Sequence, residues 1–409
     1  MSAEKPHTLV ALSGGVDSSV TAALLLEAGH RVTAVTLKTF CYAEHPDGPK
    51  SCCGLEGIAT ARTTASQLGI PHLVFDVSER FKTEVIDDFV SEYAAGRTPN
   101  PCVRCNATVK IPDLWERAKR LGCTAIATGH YARVERIVRP ETTFTEKPLH
   151  SGELTIPQLN EVEGGGIHGD AIESCAKPSE PGEFGLFRAV DRAKDQAYFL
   201  WELPRTILRH LLLPLGGLTK PEVRDIARRM GLASAEKPES QEICFIPDGD
   251  YVRFVRAGLP EKHPSRLPGP ILDRLGAHLG DHTGFLEFTI GQRKGLGGGH
   301  GKRLFVTGID PTRRAVIAGE ASDLNSSTLT IDRVNILLPS LPPVGTPVSV
   351  MIRHRATALP GIIEAVGDHW LIGLSVPARA VTPGQSAVMF TSSPAGDRLI
   401  AGGRIIRSS

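Results

Sequence analysis

Ser13-Gly14-Gly15-Val16-Asp17-Ser18-Ser19 follows a short apolar run, Leu9 to Leu12, and opens a run with helical spacing, Val20 to Leu26. That order is strand, glycine-rich turn, helix. The two glycines let the backbone turn tightly and let an anion reach the amides with no Cβ in the way. Ser18 and Ser19 are good N-cap residues, so the helix is expected to start at one of them. Its unpaired N–H groups and positive dipole end then form an anion site. The spacing is neither G-x-G-x-x-G nor G-x-x-x-x-G-K-[ST]. Instead Asp17 sits inside the loop, where a bare carboxylate would repel phosphate. A Mg²⁺ bridging Asp17 and phosphate oxygens removes that conflict.

The S-G-G-x-D-S pattern resembles the PP-loop of ATP pyrophosphatases, which adenylate a substrate oxygen and release pyrophosphate. Beyond the first helix, Gly29 fits a helix stop. Arg31 to Leu37 and Pro71 to Val77 read as strands, with a helix over Leu55 to Leu68 between them. Phe81, Val85, Ile86, Phe89, Val90 and Tyr93 mark one face of a further helix. This alternation predicts an α/β fold, a doubly wound parallel sheet covered on both faces, with ligands beyond the carboxyl ends of its strands.

The loop Gly96-Arg97-Thr98-Pro99-Asn100-Pro101-Cys102-Val103-Arg104-Cys105-Asn106 lies at such an end. Its prolines stiffen it. Arg104 and the positive end of a following helix are expected to favour thiolate. The spacing alone leaves its C-x-x-C as redox, metal-binding or catalytic. Ala125 to Thr128 is another strand, running into Gly129-His130-Tyr131. Gly129 would let an adenine or ribose pack on the backbone; His130 reads equally as structural or functional.

From about Arg139 to Gly185 the pattern dissolves into Pro, Glu, Gly and Ser, an irregular insertion or lid. Structure is expected to resume at Phe187. Lys194-Asp195-Gln196 precedes an apolar segment, a helix carries Val223, Ile226, Ala227 and Met230, and Cys244 stands in a short strand-like run. Beyond residue 255, short strands separated by Gly and Pro suggest a small barrel or sandwich. Val348 to Arg355 alternates, with Val348, Val350 and Ile352 on one side and Met351, Arg353 and Arg355 on the other. From Thr346 onward six arginines oppose three acids, an excess suited to an RNA contact or a solvated face.

At 409 residues the chain exceeds one core. With 41% hydrophobic residues and a net charge of +1, it has an ordinary globular composition, and any nucleic-acid surface must be a local patch. No stretch has the length of a membrane span and no signal-peptide pattern is present, which points to the cytoplasm. Eight cysteines there are expected to be reduced, metal-bound or catalytic. Cys41, Cys52 and Cys53 share a polar loop, but no second pair with zinc spacing follows.

SGGVDSS, SCCGLEG, TPNPCVRCN, ATGHYAR, KDQAYFL, SQEICFI, TIGQRKGLG and Thr382-Pro383-Gly384-Gln385 occur in an order that resembles the tRNA-specific 2-thiouridylases, the MnmA family. The resemblance implies a PP-loop catalytic domain over 1–250, a central β-rich tRNA-binding domain over 251–320 and a C-terminal β-barrel over 321–409. It also implies the activity, a sulfurtransferase that adenylates the C2 oxygen of the wobble uridine of tRNA and then delivers sulfur. ATP would lie on Ala11, Leu12, Ser13, Gly14, Gly15, Val16, Asp17 and Ser18, with Leu37 and Gly129 at the nucleoside. Cys244 matches the persulfide carrier, reloaded by a sulfur donor protein. Cys105 matches the second catalytic cysteine, which forms a disulfide with Cys244 or assists the attack. Asn100, Pro101 and Cys102 would touch the target base, with His130, Lys194, Asp195, Gln196, Arg353, His354 and Gln385 on the tRNA. Many members carry Asp where this chain has Cys102. Three thiols, Cys102, Cys105 and Cys244, leave a [4Fe–4S] cluster open beside the persulfide relay. An amidotransferase-type PP-loop synthetase and a non-catalytic RNA-binding protein are the other readings.

Overall fold

In a computed structural model of the protein, residues 5–39, 55–137, 182–238, 243–297 and 303–409 are described. Cys41, Cys52, Cys53, nearly all of the 139–185 segment and Glu239–Glu242 lie outside these residues.

The first unit is a five-stranded parallel sheet in the order β3-β2-β1-β4-β7. Its strands are β1 (His7–Ala11), β2 (Arg31–Lys38), β3 (His72–Asp76), β4 (Ala125–Ala127) and β7 (Leu211–Leu212). β1 and β2 carry Leu9, Val10, Val32, Ala34, Val35 and Leu37 and are buried between their ends, as strands covered on both faces must be. Around the sheet lie α1 (Val16–Glu27), α2 (Leu55–Gln67), α3 (78–94), α4 (101–120) and α5 (Lys220–Arg229). α3 and α4 each contain a π turn, Lys82–Ile86 and Cys105–Lys110. The predicted apolar face of α3 is buried at Phe81, Val85, Phe89, Val90 and Tyr93.

A short helix, α6 (Tyr251–Ala257), leads to a four-stranded sheet in the order β10-β11-β8-β9. These are β8 (Gly269–Leu272), β9 (His278–His282), β10 (Phe305–Asp310) and β11 (Ala315–Gly319). The C-terminal unit is an antiparallel barrel. β12 (Asn325–Ile336), β15 (Trp370–Arg379), β14 (Leu359–Ala365), β13 (Pro347–Met351), β16 (Ser386–Ser393) and β17 (Gly396–Ser408) follow one another, and β17 pairs back with β12 to close it. No helix among the described residues is long and apolar enough to cross a membrane.

Four local expectations need correction. Helix α1 starts at Val16 with Gly15 as N-cap, not at Ser18 or Ser19. Both serine hydroxyls instead donate back to the Gly15 carbonyl at 3.0 and 2.9 Å. Structure resumes at Glu183, because β6 (Glu183–Arg188) pairs with β5 (Ala132–Ile137) as a hairpin. That hairpin joins β17, so the first unit contributes two strands to the barrel's sheet. The alternation from Val348 ends as a strand at Met351, and Arg355 turns at a φ of 61°. Val350 and Ile352 face the barrel core, while Met351 packs into the core of the first unit. Finally, Ile243–Pro247 is a turn rather than a strand.

Candidate active site

Strand order reverses around β1, between β2 and β4, and a cleft of about 330 Å³ opens beyond the carboxyl ends of these strands. This is the position parallel sheets reserve for ligands. Ala11, Leu12, Ser13, Gly15, Val16, Asp17 and Ser18 line it, joined by Leu37 and Gly129. Gly14, the remaining predicted loop residue, lies behind it. Its φ is +80°, and a Cβ there would stand 2.2 Å from the Gly57 carbonyl oxygen of α2. Glycine is required twice over, by conformation and by contact. Ser18 Oγ closes the loop by accepting from Ser13 N at 3.1 Å. At Gly129 the packing of the chain itself requires glycine. A Cβ would come within 2.9 Å of the Asp17 carbonyl carbon and Ser18 N, so Gly129 lets β4 pack against the loop itself.

Asp17 is the sole carboxylate among the described lining residues, against Lys110, Lys194, Lys220 and Arg355. Lys220 Nζ meets Asp17 Oδ1 at 2.6 Å, and Tyr131 Oη donates to the same oxygen at 2.8 Å. Lys220 was not anticipated from sequence. It sits at the first position of α5, which a capping box of Thr219 and Glu222 fixes. The cations suit a polyphosphate, and Asp17 suits the metal that accompanies one.

Of the residues assigned to tRNA, His130, Lys194, Gln196 and His354 line the same cleft. His130 accepts or donates at Thr128 Oγ1, 2.8 Å from Nδ1. Burial, helped by Lys110, lowers its pKa to about 3, so it is neutral at working pH. His354 lies against the Phe199 ring at 4.4 Å, and burial lowers its pKa as well. Asp195 is 3% exposed and turned inward, accepting from Arg188 Nε at 2.6 Å and Ala189 N at 2.9 Å. Arg353 is exposed, on the turn after β13.

Gln385 is engaged within the protein: its Nε2 donates to the Thr98 carbonyl at 2.9 Å, and Thr98 N donates to the Pro383 carbonyl. A second lock stands beside it. Glu92, 4% exposed, accepts from Arg97 of the loop and from Arg404 of β17, which also pairs with Asp332. Burial alone would raise the Glu92 pKa, but Arg97 and Arg404 outweigh it and hold it below its ordinary value.

Two of the three candidate thiols, Cys105 and Cys244, meet one core. Cys105 is 4% exposed in the cluster around Phe89 and Phe245, and the half-buried Cys244 packs against that cluster. Phe245 anchors the Cys244 turn edge-on to Phe81 and Phe89. Asn100 and Pro101 open α4, and Cys102 is exposed in its first turn. The expected help from Arg104 is absent. Its guanidinium turns to Glu202 at 2.5 Å and Glu84 at 3.6 Å. Cys105 is in the second turn of α4, and burial pushes its thiol up to about 11 despite Lys110. Among the described residues no group of three His, Cys, Asp or Glu side chains is placed to hold a metal ion.

The sheet, its switch-point cleft and the glycine loop define a nucleotide-binding HUP domain. The family model described as tRNA methyl transferase HUP domain matches residues 6–154 and 168–248. The PRC-barrel domain model of the same name matches 257–320, and an aminomethyltransferase beta-barrel model matches 326–405. A tRNA-specific 2-thiouridylase MnmA of Geobacter metallireducens is 41% identical over 98% of this chain and 97% of its own. The MnmA of Carboxydothermus hydrogenoformans is 41% identical over 98% of each. The chain belongs to the tRNA-specific 2-thiouridylase family. A solved NMN synthetase of Francisella tularensis aligns at a TM-score of 0.31 and 13% identity, over 62% of this chain and 77% of that one, too distant to add to the argument.

Proposed function

We propose that this protein 2-thiolates the wobble uridine of tRNA in the cytoplasm, using ATP to activate the base and a cysteine persulfide to deliver sulfur. The observation that carries this reading is the cation-lined cleft at the switch point, with Asp17 as its one described carboxylate. ATP would lie on the loop from Ala11 to Ser18, with Leu37 and Gly129 toward the nucleoside. Mg²⁺, held by Asp17 and phosphate oxygens, would neutralise phosphate charge. The C2 oxygen attacks the α-phosphorus, the bond to the β-phosphate oxygen breaks, and pyrophosphate leaves. Lys220, Lys194 and Lys110 face the charge that develops there.

The terminal sulfur of a Cys244 persulfide then attacks C2, and AMP departs with the oxygen. Cys105 attacks the Cys244 sulfur, the sulfur–sulfur bond breaks toward the base, and 2-thiouridine is released with a Cys105–Cys244 disulfide. The half-buried Cys244 is open enough to be reloaded by a persulfide donor protein. A [4Fe–4S] cluster would need Cys102, Cys105 and Cys244 as simultaneous ligands, whereas the relay needs them only in pairs, and no three such side chains are grouped to hold a metal among the described residues. Asn100, Pro101 and Cys102 would meet the base, with His130, Lys194, Gln196, His354 and Arg353 toward the tRNA. Asp195 braces the segment that carries Lys194 and Gln196, and Gln385 the loop that leads to Asn100, Pro101 and Cys102.

Pyrophosphate release that depends on added tRNA tests the reading. Asp17→Asn should keep tRNA binding and lose that release; undiminished release would overturn the assignment of the loop.

A further inference from the structure

We propose that Cys102 is a resolving cysteine: its thiolate attacks the Cys105 sulfur of the spent Cys105–Cys244 disulfide, forming a Cys102–Cys105 disulfide and returning Cys244 for reloading. This rests on the relay described above. In the exchange the Cys105–Cys244 bond breaks, its electron pair leaves on the Cys244 sulfur, and the Cys102 proton passes to solvent. An external dithiol then supplies two electrons and two protons to reduce the new disulfide.

Three observations meet here. Cys102 and Cys105 lie three apart in one helical run, since Pro101–Arg104 continues into Cys105 at helical φ and ψ. Such neighbours have Cβ atoms about 5–6 Å apart, against about 4 Å in a disulfide. The closure falls at the start of α4, where the N–H groups of the first turn have no helical partner. Second, exposure is divided: Cys102 is exposed and Cys105 is buried. A disulfide between Cys105 and the half-buried Cys244 offers a reductant less accessible sulfur than one that ends on the exposed Cys102. Third, direction follows from acidity. Burial, with the charge of Cys102 beside it, raises the Cys105 thiol to about 11. A thiol so raised is a poor leaving group, which disfavours any exchange that would expel Cys105.

The test uses full-length enzyme loaded with persulfide at Cys244, given tRNA and ATP for one turnover, acid-quenched and mapped by peptide mass. Wild type should end with Cys102 joined to Cys105, and Cys102→Ser with Cys105 joined to Cys244. With dithiothreitol as reductant, the ratio of steady-state to single-turnover rate should fall by about tenfold in Cys102→Ser. A wild-type enzyme that retains Cys105–Cys244, or an unchanged ratio in the variant, overturns the proposal. Failure of the relay itself looks different: no disulfide at Cys105 in either protein, and Cys105→Ser completing its single turnover.

Discussion

Lys220 occupies the end of a helix where the dipole disfavours a cation, yet its side chain is 8% exposed against Asp17. A charge held there against the local field is suited to a ligand that brings negative charge of its own. Lys220→Gln should therefore reduce kcat for tRNA-dependent pyrophosphate release by about 10²–10³-fold, the effect of losing one preorganised donor. An unchanged kcat would reduce Lys220 to a structural partner of Asp17. The loop was legible from its own seven residues; Lys220 was not, because 203 positions separate it from Asp17. Its local signal was present all the same, a lysine inside the Thr219–Glu222 capping box. Arg104 failed for the opposite reason: adjacency to Cys105 in sequence says nothing of where a long side chain finds its carboxylates, here Glu202 and Glu84.

Among the elements, the loop before α4 is gripped from the barrel side at Thr98 by Gln385 and through Glu92 by Arg404. Glu92 has a lowered pKa in the folded protein, so its contribution is full above the ordinary glutamate range and is lost as pH falls through the lower folded value. The melting temperature should accordingly drop on acidification from pH 7 toward pH 3, and Glu92→Gln should show a shallower drop. Parallel slopes would mean that Glu92 does not carry this pH dependence. Helices and parallel strands of the first unit could be read from periodicity because each buries a continuous apolar face. The β5–β6 hairpin escaped because its pairing spans the 139–185 segment, and no local pattern encodes a partner so far along the chain. The barrel was readable as short strands, but its closure is a long-range pairing of β12 with β17.

Across the whole molecule the first unit meets the other two at close range. A Cβ on Gly96 would stand 2.8 Å from Ile309 of β10, and one on Gly384 would stand 2.8 Å from Thr98 N. The barrel that braces the loop before α4 also sends the turn after β13 to the cleft, where His354 and Arg355 join its lining. Arg353, next to them in sequence and exposed, is then at the margin of the cleft, open to solvent. A phosphate contact there would position tRNA without reading its sequence. Each such contact releases condensed counterions, so log affinity falls with log salt by a little under one unit per phosphate. Arg353→Ala should weaken tRNA binding for all substrate tRNAs alike and flatten the salt slope by about one unit. Pyrophosphate release at saturating tRNA should fall far less than binding, because Arg353 is not among the described residues that line the cleft. The measurement is a titration of labelled tRNA at several salt concentrations, and an unaltered slope would return Arg353 to the solvated face of the barrel.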